Sequence, residues 1–414
     1  MFDNVLHQSA CALLKADIES SSLPGSILFS GPSCSGKLTC ALELARVLSC
    51  SAPGGIRGDW NCACPSCLRH KALVSPNLLV VGPGNRTLEI EAAKSTLLSQ
   101  NAGNTRHLEA ARYLYIRAVR KLTVRFSPVL WEGDDKLSKF TPVLADIDES
   151  LEELSPGRIL PDGDSLEKIL TKIEKNCSKL EGSFLYDSLP VSQIRRFSAW
   201  AHLTSGSGKK VLIIENADLM ADSSRNALLK ILEEPPEGTM LILTTTNRGG
   251  MLATILSRVR TYTFFERSEA HQREVIDRVF HYDPSFSGGE VPGTVDLFLR
   301  NYLPVRPDVV QDFSARFYKE VVQGHVPDIP EIVSGCGGFS PRILYRIFLE
   351  GIVLAQRGLS ASGGGAECSA RILGLLRESL MSVTAFNQNP QAALEMLARD
   401  IMYVNYESGG VMRL

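Results

Sequence analysis

The sequence has almost no net charge: 44 Lys and Arg stand against 46 Asp and Glu, a formal balance of −2. No global basic field would draw such a chain to nucleic acid by itself, so any DNA contact has to come from a local patch or through partners. The first residues, MFDNVLHQSA, lack a basic segment followed by an apolar run. No stretch approaches the roughly 18 consecutive apolar residues of a membrane span. Neither an export leader nor a membrane contact is expected, and the expected location is cytoplasmic. There is no bias toward disorder either, since hydrophobic residues make up 44% and charged ones 22%, as in ordinary globular chains. At 414 residues the chain is long enough for two or three domains, each with its own core.

What the sequence does have is alternation. Ser26–Ser30 is a short apolar run that leads into the glycine loop GPSCSGKLTC, after which Leu38, Ala41, Leu42, Ala45 and Leu48 recur at helical spacing. Val211–Ile214 and Met240–Thr244 read as buried strands, and Ser223–Glu234 as a helix ended by Pro235 and Pro236. Strands alternating with helices predict an α/β fold with a parallel sheet. From about 86 to 186 the pattern turns charged and mostly helical, clearest at Arg106–Arg125 and Leu166–Leu180, and reads as a helical insertion. Beyond Phe265, the segments Glu269–Phe280, Arg342–Ala355, Ala370–Val383 and Gln391–Val404 predict an all-helical remainder, with SASGGGAE (360–367) as a flexible connection.

Gly31-x4-Gly36-Lys37 has the spacing of a phosphate-binding loop, in which glycines let backbone N–H groups approach phosphate oxygens and the lysine reaches the terminal phosphates. The hydroxyl that should follow the lysine as a Mg²⁺ ligand is missing. Leu38 stands there, and Thr39, one residue on, points about 100° away around a helix. A second nucleotide motif would be a buried strand ending in two carboxylates, one for the metal and one to polarise the attacking water. Here Ile214 is followed by Glu215, which could serve a metal, and by Asn216, whose amide can orient a water but cannot take its proton. Both a cradle that holds ATP or ADP weakly and a relic loop that binds nothing are compatible with these two defects.

Ten cysteines are present, and four of them, Cys50, Cys62, Cys64 and Cys67, crowd into one short polar stretch. Four thiolates, two of them from a Cys-Pro-Ser-Cys turn, suit a structural tetrahedral Zn²⁺; small buried cysteines without metal are the plainer alternative. Arg258 follows a strand and loop, where an arginine pairs with a local carboxylate or reaches a phosphate across a subunit interface. The run Arg112, Arg117, Arg120, Lys121 and Arg125 is either a solvated helix face or a patch toward DNA.

One string is more specific. Asn226–Pro236, NALLKILEEPP, together with Phe2-Asp3-Asn4-Val5, Gln8, Ser75-Pro76-Asn77, Leu256-Ser257-Arg258 and Asn387-Gln388-Asn389-Pro390, resembles the delta-prime branch of the bacterial DNA polymerase III clamp-loader family, of the AAA+ class. The resemblance implies a RecA-like domain over 1–265 with a zinc module near 50–70, a helical lid over 266–327, and a helical collar over 328–414. It implies assembly with delta and gamma/tau subunits in a ring that places the sliding clamp on primed DNA. Arg258 would be the arginine offered to ATP on a neighbouring subunit, and Thr245 and Thr246 would sit at the sensor position. Cys62-x-Cys64, one residue tighter than the family spacing, and Val259, in place of a cysteine, are departures. On this reading the chain is a stator and arginine donor, not an active ATPase alone. A gamma/tau-type motor and a small-molecule P-loop kinase are the competing readings.

Overall fold

Five short runs of aliphatic and β-branched residues become strands: β1 (Ser26–Ser30), β2 (Leu78–Val81), β3 (Lys210–Ile214), β4 (Thr239–Thr245) and β5 (Arg260–Thr263). Every neighbouring pair is parallel, and the order across the sheet is β2-β3-β4-β1-β5. The first four are buried along their whole length, as expected of parallel strands covered on both faces. In this computed structural model, residues 54–57, 104, 187, 204–207, 283–292, 360–365, 385–387 and 409–414 are left undescribed. Most of the connection expected at 360–367, and Asn387, therefore lie outside the described residues.

The period of two along each strand divides the core. Ile27, Phe29, Val211, Ile213 and Ile242 face the helices α1 (Ala10–Glu19) and α2 (Lys37–Leu48), meeting Leu14, Ala41 and Leu44. Leu28, Leu79, Val81, Leu212, Ile214 and Leu243 join a second cluster. Its helical side comes from α4 (Thr87–Ala102) and α5 (Leu108–Thr123), with Ile90, Leu97, Tyr115 and Leu122. Helices α8 (Val191–His202) and α9 (Asp222–Glu233) add Phe197 and Leu228. The short helix α3 (Pro65–Lys71) lies in the cysteine module.

The 86–186 segment is thus an insertion in sequence but not in packing. Its first two helices share the core that covers one face of the sheet. Its remainder, α6 (Leu137–Glu153) and α7 (Gly163–Ser183), extends the same cluster through Phe140, Ile147, Leu166 and Ile173. The basic run on α5 is spent internally. Arg112 donates to the carbonyls of Leu154, Ser155 and Arg158 just past the end of α6, Arg117 to the Lys71 carbonyl, Arg120 pairs with Asp148, and Lys121 with Glu89.

Two compact units are present, Met1–Leu299 and Arg300–Leu414, and the division falls inside the segment expected as a lid. Helix α10 (Glu269–Phe280) belongs to the first. In the second, every described regular element is helical: α11 (Pro307–Val322), α12 (Ile329–Gly335), α13 (Ile343–Leu359), α14 (Ala366–Thr384) and α15 (Pro390–Glu407), besides a short 3₁₀ turn. Its core holds Phe317 against Phe348, with ring centroids 5.5 Å apart. Helices α11 and α13 pack so closely that a Cβ on Gly351 would lie 2.0 Å from Ser314 Oγ.

Candidate functional site

In open parallel sheets, ligands lie beyond the carboxyl ends of the strands. Those ends meet here, with Ser30 beside Thr245 on one side and Thr263 on the other. The loop from Gly31 to Gly36 leaves β1 at this point and enters α2. Its glycines are required by shape: a Cβ on Gly31 would stand 2.3 Å from the Phe264 carbonyl oxygen, and Gly36 has φ +93°. The loop thus makes the strand-to-helix turn expected from its spacing.

Its polar lining is engaged from within. Lys37 Nζ donates to the carbonyls of Gly31 (2.7 Å) and Pro32 (2.5 Å), and burial pushes its ammonium down to about 8. Arg267 lies across the outside of the loop, donating to the Cys34, Ser35 and Leu6 carbonyls, each at 3.0 Å. Leu38 and Thr39 follow on α2, both half-buried.

Glu215, at the end of β3, is not open either. Arg86 bonds one carboxylate oxygen and Arg125 the other. Burial alone would push this carboxyl up, but the two guanidiniums and their hydrogen bonds outweigh it and hold it at about 2. Two positive groups stand where a divalent cation would have to approach. Asn216 adopts φ 48° and donates from Nδ2 to the Pro83 carbonyl at 2.9 Å, so its amide is committed to the backbone. Thr245 is fully buried and donates to Asp218 Oδ1 at 2.6 Å, while Thr246 is exposed. Gln8 clasps the backbone of Phe265 from both sides, at 2.9 and 3.0 Å.

Three residues of this region escape a reading of the sequence, Arg86, Arg267 and Asp218, and a fourth, Arg125, is read there only as part of the basic run, whereas it is buried against Glu215. Arg86 and Arg125 lie 129 and 90 residues from their shared partner, so no local spacing announces the clamp. Asp218 carries the one local signal, an acid three residues past Glu215 in the same turn.

Arg258 meets the end of α9. Its Nη2 pairs with Glu233 Oε1 at 2.6 Å and its Nη1 donates to the Thr254 carbonyl at 2.8 Å. The pair joins the two most specific strings of the sequence, NALLKILEEPP and LSR. Arg258 is 33% exposed and Glu233 51%, and an ion pair so open to water is worth only about 0 to 1 kcal/mol.

The sulfur atoms of Cys50, Cys62, Cys64 and Cys67 all lie within 4.8 Å of one another, and Cys50 and Cys62 are 3.7 Å apart. Tetrahedral Zn–S bonds of about 2.3 Å place sulfurs about 3.8 Å apart, so the set fits a metal despite the tight Cys62-x-Cys64 step. Cys64 caps α3 while Cys67 sits in its first turn, which brings both thiols to one side.

The family described as "DNA polymerase III, delta subunit" matches residues 6–127 and 164–268, more than half of the chain. The unmatched gap, 128–163, holds the short helix Pro128–Trp131, α6 and the turns around them. The DNA polymerase III subunit delta′ of Bacillus subtilis (strain 168) is 39% identical over 79 residues, 19% of this chain and 23% of that one. That of Escherichia coli (strain K12) is 46% identical over 55 residues, 13% of this chain and 16% of that one. The subunit gamma/tau of Mycobacterium tuberculosis (strain ATCC 25618 / H37Rv) is 44% identical over 55 residues, 13% of this chain and 10% of that one. The matches thus span less than a quarter of these relatives. A gamma subunit-related protein from Thermotoga maritima aligns over 95% of this chain and 98% of its own at 12% identity and a TM-score of 0.35, too slight a likeness to carry weight. On the strength of the family match, this chain belongs to the DNA polymerase III delta-subunit family, among the clamp-loader subunits.

Proposed function

We propose that this chain is the non-hydrolysing, delta-prime-type member of a clamp loader: a stator that offers Arg258 to ATP bound by a neighbouring gamma/tau subunit. The observation that carries this reading is the contrast between two groups. Glu215, the remaining carboxylate for a metal, is buried and clamped by Arg86 and Arg125, whereas Arg258 is held by an exposed ion pair with Glu233 and an exposed hydrogen bond to the Thr254 carbonyl, contacts that water can replace at little cost. Leu38 and Asn216 remove the other two functions of a hydrolytic site. Gly31, Gly36, Lys37 and Thr39 then form a cradle that holds ATP or ADP weakly, with Thr245 shaping the strand end beside it.

The partners on this reading are delta and gamma/tau subunits, and through them the sliding clamp and primed DNA, in the cytoplasm. The division into RecA-like domain, lid and collar goes with it. Cys50, Cys62, Cys64 and Cys67 hold one structural Zn²⁺; with four protein ligands it leaves no open position for substrate. A motor of the gamma/tau type is the other family reading. ATP turnover by the purified chain, alone and mixed with gamma/tau, tests the choice. No turnover by the chain alone, with stimulation in the mixture, is expected; turnover by the chain alone that is lost on Lys37→Ala would overturn the proposal.

A further inference from the structure

Arg46 is a long charged side chain in the last turn of α2, and it is almost wholly buried, at 1% exposure. Buried guanidiniums persist only when their donors are satisfied, and here all five N–H groups have an acceptor. Nε and Nη2 grip the two oxygens of Glu43, one turn earlier, at 2.9 and 2.6 Å. Nη2 also donates to the Gly58 carbonyl and Nη1 to the Asp59 carbonyl, both at 2.9 Å. The last donor, on Nη1, points at Cys67 Sγ from 3.0 Å. A backbone donor serves a second sulfur, from Gly58 N to Cys50 Sγ at 3.3 Å.

We propose that Arg46 is a positioning residue for the metal centre. It fixes Cys67 by a charge-assisted N–H···S bond and fastens the cysteine module to α2, the helix that begins at the phosphate loop. The inference rests on the reading of the four cysteines as a metal site. Four thiolates around a divalent cation carry a net charge of −2, and a donated N–H draws density from the sulfur, making it slower to take up a proton and leave the metal. Glu43 orients the fork and keeps the buried pair neutral. Lysine cannot replace this group, because one ammonium has three donors and no planar fork. The Gly58 and Asp59 carbonyls would lose their partner together with the sulfur.

Removal of an outer partner of this kind typically costs about 10- to 100-fold in metal affinity. The test uses the full-length chain, wild type and Arg46→Lys, loaded with Zn²⁺ and challenged with a colorimetric zinc chelator. A parallel Co²⁺-loaded sample is read by its thiolate-to-metal charge-transfer band. Zinc release faster by about 10- to 100-fold is expected, with the cobalt band moved to lower energy because Cys67 has lost a hydrogen bond. If Arg46→Lys does not fold, Glu43→Leu with Arg46→Met removes both charges together and carries the same two readouts. Release at the wild-type rate with an unmoved band would overturn the proposal while leaving the metal site standing. A wild-type chain that takes up neither Zn²⁺ nor Co²⁺ would overturn the metal reading, and this inference with it.

Discussion

Replacing Glu215 by Gln separates a structural carboxylate from a catalytic one. The side chain is 9% exposed and pairs with Arg125, itself 1% exposed, and with Arg86, at 16%. Breaking a buried pair by removing one partner costs about 3 to 5 kcal/mol, because the other charge is left buried. The carboxyl gives a compatible figure: held at about 2 instead of 4.5, it contributes on the order of 3 kcal/mol at neutral pH. With a urea slope of about 3 kcal/mol per molar, the unfolding midpoint should fall by about 1 M. The assay is selective. The three tryptophans, Trp60, Trp131 and Trp200, all lie in the first unit, and Trp131 donates to the Arg125 carbonyl at 2.9 Å. Their fluorescence therefore reports the sheet and not the helical unit. Because the folded value lies below the unfolded one, the stabilisation is complete above about pH 4.5 and is lost as pH falls toward 2. Wild type and variant should converge over that window. An unchanged midpoint at neutral pH would refute the clamp as a stabilising element.

Three other outcomes follow from the same geometry. Metal analysis should find about one zinc per chain, and Cys64→Ser with Cys67→Ser should abolish it; unchanged zinc content in that variant would remove the site assignment. Excision of 86–186 with a short Gly/Ser linker should yield insoluble chain, because Ile90, Leu97, Tyr115 and Leu122 leave the sheet with it, and a folded, soluble product would contradict the packing described above. Leu38→Thr restores the missing hydroxyl but leaves Glu215 clamped and Asn216 without basicity, so single-turnover assays should still show no ATP cleavage above background.

Much of the sheet is legible in the sequence because apolar runs are local. Ser26–Ser30, Val211–Ile214 and Met240–Thr244 reappear as β1, β3 and β4 within a residue at each end. Strands β2 and β5 are harder: LLVV is only four residues long, and RTYT, at the sheet edge, buries only its tyrosine. Helix α6 was hidden by Pro142 inside it, a residue that normally ends a helix. The cluster of four cysteines is legible because its members lie close together in sequence. The clamp on Glu215 was not, since it forms only when three distant segments converge. The same holds for Arg267, whose partners on the loop lie 233 and 232 residues away.

On the function proposed above, Arg258, and not Lys37, is this chain's contribution to ATP hydrolysis. The most direct test is the DNA-dependent ATPase of the assembled loader, reconstituted with either Lys37→Ala or Arg258→Ala in this chain alone. Arginines supplied in trans are worth about 10³ to 10⁵ in rate at the single site they serve. Near-normal turnover is expected with Lys37→Ala and, with Arg258→Ala, loss of the neighbouring subunit's share while assembly measured by native mass spectrometry stays intact. Turnover crippled by Lys37→Ala and untouched by Arg258→Ala would contradict the proposal and make this subunit a motor in its own right.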